Sequence, residues 1–283
     1  MSNIEFEVVI AKDFSRRANL HYDYIKEQKL NQSSVGGIFY GFNSSENRID
    51  NVARGDIAGY GLSLGSYLIK DLNEDYKANF LFAGHIGKSF YDLTDFQSAD
   101  IDLRAEGSYK HQSIYYEFDL SGAGYVLSED TQIIPHFSAS GAYGDISDSK
   151  VKIINKYNNF QYAKFSLSDK NIYQSLLGIS AITSDLEDNK NFTSTSIDIL
   201  CRNSEILENL ECGGQVEFER SYQNDEDFYN SIGFSYSHTK SFSMFSVSHG
   251  MRGRLTKNFN YETSVNMYAD ANYSLGIKVW AYF

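Results

Sequence analysis

The chain of 283 residues has no long apolar run, one proline and two cysteines. No segment approaches the roughly 20 apolar residues of a membrane helix, which excludes helical membrane spans. The 25 Lys and Arg are outnumbered by 37 Asp and Glu, giving a net charge of −12. Because phosphate binding requires clustered basic residues, this balance excludes nucleic acid as a partner. Residues 1–7 also lack the basic segment and apolar core of a signal peptide, so we expect a longer secreted precursor.

What the chain does contain is alternation. Hydrophobic residues make up 42% of it, yet the mean hydropathy is −0.41, so apolar residues are interleaved with polar ones. About thirteen runs alternate with a period of two, as strands do, and several approach the 9–11 residues of a strand crossing a bilayer. They span 35–42, 57–69, 76–91, 99–110, 114–127, 132–144, 173–183, 193–201, 214–221, 228–238, 242–255, 259–268 and 273–283.

This pattern predicts an all-β fold, a single antiparallel transmembrane β-barrel spanning residues 33–283. Single-chain bacterial barrels have an even number of strands, and we expect twelve, with fourteen as the alternative. Residues 1–32 form a separate N-terminal segment, either a first strand or a helical linker in the lumen. Pro135 follows a tight turn, where a strand tolerates proline.

The last strand indicates how the barrel is oriented. Its apolar face ends on the terminal aromatic residue, which is typical of the assembly signal that outer-membrane proteins add to the barrel assembly machinery. The residues of this signal are Tyr273, Leu275, Gly276, Ile277, Val279 and Phe283. With Phe283 on the periplasmic side, tight turns at 128–131 and 256–258 are periplasmic, and a long polar loop at 146–171 is external. The connection 44–56 conflicts with this count, because it falls on the periplasmic side.

Charged residues on the other face are expected to line the lumen, where they grip a linker, tune ion passage or simply solvate the interior. They are Asp100, Asp102, Arg104, Glu106, Glu117, Asp119, Glu217, Glu219 and Glu262. Cys201 and Cys212 lie at the ends of two strand runs, beside an external loop. They either close a disulfide or remain two free thiols.

Several segments together resemble the C-terminal translocator domain of autotransporters. The resemblance rests on residues 60–67 (YGLSLGSY), 122–125 (GAGY), 134–137 (IPHF), 175–179 (SLLGI) and the closing run 250–283. It implies a barrel of 12 strands that anchors and exports an N-terminal passenger through its lumen. No match is found to the Asn-centred helix at which some members of that family cleave themselves.

Two His-x-Ser pairs raise an enzymatic hypothesis, because outer-membrane lipases carry such a pair on the outer face. The alternation places His111 and Ser113 towards lipid, but no orienting acid follows them, and a hairpin turn is the simpler interpretation. His136 and Ser138 are expected on the lumen face. We therefore predict no catalytic residue, no metal site and no cofactor.

The sequence thus predicts a bacterial outer-membrane β-barrel that is not an enzyme and resembles an autotransporter translocator. Its expected partners are outer-membrane lipid, the assembly machinery and a passenger in cis, and we expect a monomer. A stand-alone porin or structural barrel is the first alternative. A soluble all-β binding module, with its apolar faces packed between two sheets, is the second.

Overall fold

The computed structural model of the chain is composed of β-strands. It describes residues 2–10, 16–49, 54–94, 103–155, 157, 160–165, 170–184, 191–204, 207–225, 228–241, 243–256, 258–268 and 273–281. The strands are β1 (Ser2–Ile10), β2 (Arg16–Asn31), β3 (Ser34–Ile49), β4 (Arg54–Asp71), β5 (Lys77–Thr94), β6 (Leu103–Ser121), β7 (Tyr125–Val126), β8 (Thr131–Ile146), β9 (Ser149–Asn155), β10 (Phe160–Phe165), β11 (Lys170–Ser184), β12 (Phe192–Ser204), β13 (Leu207–Asp225), β14 (Phe228–His238), β15 (Ser243–Thr256), β16 (Phe259–Tyr268) and β17 (Tyr273–Ala281). The predicted all-β antiparallel fold is confirmed.

All strands belong to one sheet, and the order of pairing returns to its start. β1 pairs with β2 on one side and with β17 on the other. The circuit contains fourteen strands, which are β1 to β6, β8, β11 and β12 to β17. β9 and β10, which follow β8 and precede β11 in the chain, form a hairpin outside the circuit. β7 is a two-residue strand paired with β8.

Twelve strands, the first of the two predicted numbers, is therefore not what the circuit contains. Residues 103–121, which include most of the runs 99–110 and 114–127, form a single strand, β6, and residues 1–32 contribute β1 and β2. His111 and Ser113 were assigned to a turn, yet their register with β5 continues without interruption. Polar residues do not interrupt a strand when one of its faces is polar. The polarity of His111 and Ser113 was therefore not evidence of a turn.

The corrected strand number also resolves the orientation of the connections. The rim at which β17 ends, here called the C-terminal rim, carries the turns after β2, β7 and β15. The opposite rim carries the β9–β10 hairpin, where a long loop was predicted, and the connection between β3 and β4. Most of the predicted connection 44–56 is wrong, because residues 44–49 and 54–56 belong to β3 and β4; what remains lies on the side expected of longer loops.

The two faces of the sheet differ in composition. Large apolar side chains occupy one face at alternating positions and stay exposed, as Leu62 and Leu64 of β4 do at 58% and 65%. The described strands form no second sheet against which this face packs, so the sandwich expected of a soluble module is absent from them. No helix of the described residues is both long and apolar enough to span a membrane.

Candidate functional site

The interior face of the sheet is identified by contacts that skip a strand, because side chains reach over a neighbouring strand only on the concave side. Three hydrogen bonds do so: Tyr67 Oη to Glu27 Oε2 at 2.5 Å, Tyr91 Oη to Ser149 Oγ at 2.8 Å, and His136 Nε2 to Asp198 Oδ1 at 2.6 Å. The exposed apolar residues occupy the other alternating positions. They therefore form the outer face.

Each of these contacts passes over a glycine. A Cβ added to Gly37 would lie 2.4 Å from the Tyr67 ring, and one added to Gly107 would lie 2.1 Å from Tyr91 Oη. A Cβ on Gly178 would lie 2.3 Å from Asp198 Oδ1. The interior polar side chains can therefore lie across the wall only because the strand beneath carries no side chain.

Five of the predicted lumen residues lie on the interior face. Strand register places Glu217 and Glu219 opposite Ser196 and Ser194, on the face of Asp198. The remaining three, from β6 and β16, are Glu117, Asp119 and Glu262. The interior is therefore acidic on several strands.

Arg104 and Glu106 lie on the outer face, contrary to the prediction. Arg104 donates to both carboxylate oxygens of Asp92, at 2.8 Å from Nε and 2.5 Å from Nη2, and its Nη2 lies 3.0 Å from Glu106. Asp100 and Asp102 lie outside the described residues. The alternation was read in the wrong phase here, because the strand carries small residues inside and polar residues outside near this rim.

His136 is an interior residue with partners on two other strands. Its Nδ1 lies 3.2 Å from Ser180 Oγ, while its Nε2 lies 2.6 Å from Asp198. The Asp198 residue is only 5% exposed, so the imidazole satisfies an otherwise buried carboxylate. The sequence indicated His136 and Ser138 on the lumen face but not these partners, which are distant along the chain.

A second interior group contains histidines of neighbouring strands. Ser63 Oγ lies 3.1 Å from His85 Nδ1, and the His85 and His111 rings stack with centroids 5.2 Å apart. His111 and Ser113 therefore lie inside, not towards lipid as predicted. A lipase site on the outer face does not exist at this pair.

An interior cavity of about 650 Å³ lies near the C-terminal rim. Its polar lining comes from β13 to β16 and includes Glu219, Tyr229, Arg252, Arg254 and Glu262. The guanidinium of Arg252 also lies 5.4 Å from the Trp280 ring centroid. Both arginines lie two positions apart on the interior face of β15, and neither was among the predicted lumen residues. Acidic and basic groups thus meet on the interior face.

The predicted assembly strand, β17, has no free edge. It pairs with β16 and with β1, and Leu275 and Ile277 project from its outer face, 44% and 39% exposed. Gly276 lies opposite Ser264 and Val279 opposite Tyr261. Tyr273 is the first residue of the strand, and Phe283 lies outside the described residues.

Cys201 and Cys212 are joined by a disulfide between β12 and β13. The two residues are directly opposed, with Cα atoms 4.0 Å apart. They lie towards the opposite rim and on the outer face. Among the described residues, no group of three or more His, Cys, Asp or Glu side chains is arranged to bind a metal ion.

No protein-family model matches the chain, and no curated protein matches it either. Solved structures do match over its full length. The translocator domain of the autotransporter NalP from Neisseria meningitidis is 10% identical with a TM-score of 0.57, and 87% of that chain is covered. The β domain of the Bordetella autotransporter BrkA is 11% identical, with a TM-score of 0.52 and 98% of that chain covered. The Ralstonia pickettii toluene transporter TbuX is 10% identical, with a TM-score of 0.58 and 89% covered.

At these identities the comparisons establish the fold alone. The chain has the fold of outer-membrane β-barrels, shared by translocator domains and by channels for hydrocarbons.

Proposed function

We propose that the chain is an integral barrel of the bacterial outer membrane, with its fourteen paired strands closed around a polar lumen. The exposed apolar outer face carries this proposal, because such a face is stable against lipid and unfavourable in water. Charged and glycine-spaced residues on the interior face match a solvated lumen. A monomer satisfies every strand in the circuit, since β1 and β17 pair with each other.

A gel-shift assay tests membrane insertion. The chain refolded in detergent is expected to stay compact in mild SDS and to shift on a gel only after boiling. In cells carrying the exported chain, it is expected in the outer-membrane fraction. Full solubility without detergent would overturn the proposal.

For a barrel in the outer membrane, we further infer that it anchors and exports a polypeptide attached ahead of residue 1. The support is the likeness to two translocator domains across the whole chain, together with the residue resemblance. β1 begins at the C-terminal rim, where β17 ends, so a preceding chain can enter the lumen there and leave at the opposite rim. Fourteen strands, against the 12 that the resemblance implies, give a wider passage.

Export is tested by fusing a signal peptide and a reporter domain ahead of residue 1. External protease is expected to remove the reporter from intact cells, whereas a reporter with a signal peptide and no barrel stays protected. A folded barrel with a protected reporter would overturn export while leaving the membrane proposal intact.

A solute channel without a passenger is the second candidate, favoured by the likeness to TbuX and by the 650 Å³ cavity in the lumen. Swelling of vesicles that contain the barrel, measured with sugars of increasing size, tests it. Export with no swelling supports the translocator, and swelling with no export supports the channel.

A further inference from the structure

Four lysines form a row across the outer face of β5, β6, β9 and β10. Lys88 lies directly opposite Lys110, and Lys150 lies directly opposite Lys164. The two pairs are adjacent, because Lys150 pairs with Ser108, two positions along β6 from Lys110. Like charges opposed across strands are destabilising. An anion placed beside the row would reduce this repulsion.

Of the acidic residues near this row, one pairs with a lysine of the row and the others contact other residues. Asp148 pairs with Lys164, and the Asp145 carboxylate accepts a hydrogen bond from Gln112. Asp92 and Glu106 both pair with Arg104. Within the described ranges, Lys88, Lys110 and Lys150 have no acidic partner. The Lys88 ammonium lies 4.7 Å from the Phe90 ring centroid, towards the opposite rim.

Next to the row, on the side of the C-terminal rim, the outer face has a groove. The groove is centred on Gly84, where an added Cβ would meet no atom within 4 Å. It measures about 760 Å³, and its outward apolar lining includes Leu62, Leu64, Phe82, Ile86, Ile114 and Tyr143. A second groove of about 440 Å³ shares Leu62 and Ile86 with it, and its other end is lined by Lys88 and Lys110, with Asp145 beside them. Apolar and cationic surfaces are therefore continuous.

We propose that this surface binds a phosphate-bearing lipid of the membrane. The phosphate is held by Lys88 and Lys110, and an acyl chain occupies the groove at Gly84. A lipid is the occupant that fits, because the cations border the apolar belt where headgroups meet acyl chains. The inference rests on the proposed membrane location and adds a specific lipid site to it.

Native mass spectrometry of the refolded barrel in neutral detergent tests the site. The probes are phosphatidylglycerol and phosphatidylcholine with the same acyl chains, so that only the net headgroup charge differs. The wild-type chain is expected to retain phosphatidylglycerol preferentially. The K88Q/K110Q variant should lose roughly tenfold in that preference. The K26Q/K70Q variant makes the same charge change on the outer face nearer the C-terminal rim and should behave as wild type.

A second variant tests the apolar half of the site. Gly84→Phe places a ring in the empty groove and is expected to lower retention of both lipids while leaving the SDS gel shift unchanged. Inorganic phosphate is added as a competitor, and it should not displace the lipid at equal concentration.

Three results would overturn the site: an unchanged preference in K88Q/K110Q, an equal loss in K26Q/K70Q, or displacement by inorganic phosphate. Each is interpreted only for protein that shows the gel shift. Loss of the gel shift in the wild-type chain would instead overturn the membrane proposal itself.

Discussion

The outer and interior faces of the sheet differ in how their side chains are packed. On the outer face, large side chains such as Leu64 and Ile199 project freely, and Gly84 leaves a groove that nothing fills. On the interior face, glycines lie beneath polar side chains that cross from one strand to the next but one. In its apolar part the outer face therefore tolerates changes of shape and rejects charge, whereas the interior face tolerates charge and rejects added volume.

The largest expected effect comes from placing a charge on each face at adjacent positions. Val216 projects outward near the middle of β13, so Val216→Arg should cost about 2–4 kcal/mol of folding free energy in lipid vesicles. Gln215→Arg places the same group inside, opposite Asp198 and beside Glu217, and should change stability by less than about 0.5 kcal/mol. Urea unfolding of both variants measures the difference, and equal losses would contradict the assignment of the faces.

The next largest effect is expected from adding volume at a glycine of the interior face. Gly178→Val should destabilise by about 2–3 kcal/mol, because its Cβ meets the Ile197 carbonyl oxygen at 2.2 Å as well as Asp198. Gly84→Val adds the same groups to open space and serves as the control. Unfolding midpoints in urea compare the two, and a loss at Gly84 as large as that at Gly178 would show that packing does not distinguish the faces.

The disulfide sharpens the comparison at the opposite rim, where both faces meet solvent. Its cysteines are separated by 11 positions, so the double change Cys201→Ser and Cys212→Ser should cost about 2 kcal/mol. This double change fills no groove and introduces no charge on either face. Thiol titration of the folded wild-type chain should find no free thiol without reductant, and two free thiols would contradict the pairing.

The smallest effect is expected in a turn at the C-terminal rim, away from both faces. The hydrogen bond from the Ser128 hydroxyl lowers the pKa of Asp130 below its ordinary value. A depressed carboxyl pKa stabilises the folded state above the unfolded pKa, and this contribution disappears as pH falls below about 4. The wild-type chain should therefore exceed Asp130→Asn in unfolding midpoint at pH 7, and the gap should narrow progressively as the pH falls below about 4. A constant gap would show that the carboxylate charge is not responsible.

The sequence predicted faces well where strands cross the apolar belt. The alternation at Ala58, Tyr60, Leu62, Leu64 and Leu68 assigns the outer face of β4 as the structure does. It failed near the opposite rim, at Arg104 and Glu106, because polar residues project from the outer face there. In the apolar part of a strand the apolar residues of the alternation mark the outer face, whereas near the rim the polar residues do.

The candidate site was predicted only in its composition. The sequence indicated acidic residues in the lumen, such as Glu217 and Glu219, and a histidine at position 136. The partners of His136 come from β11 and β12, and the lysine row comes from β5, β6, β9 and β10. Sequence spacing carries no information about which of these distant residues become neighbours.

By itself, the sequence determined that this chain forms antiparallel strands with one apolar face, because side chains alternate between the two sides of an extended backbone. Only the tertiary structure decided the number of strands, the pairing of β1 with β17, and the phase of each strand near its rims. Those features depend on which strands pair and in what register. The pairing and register are fixed by contacts between residues far apart in the chain, not by the local pattern of either strand.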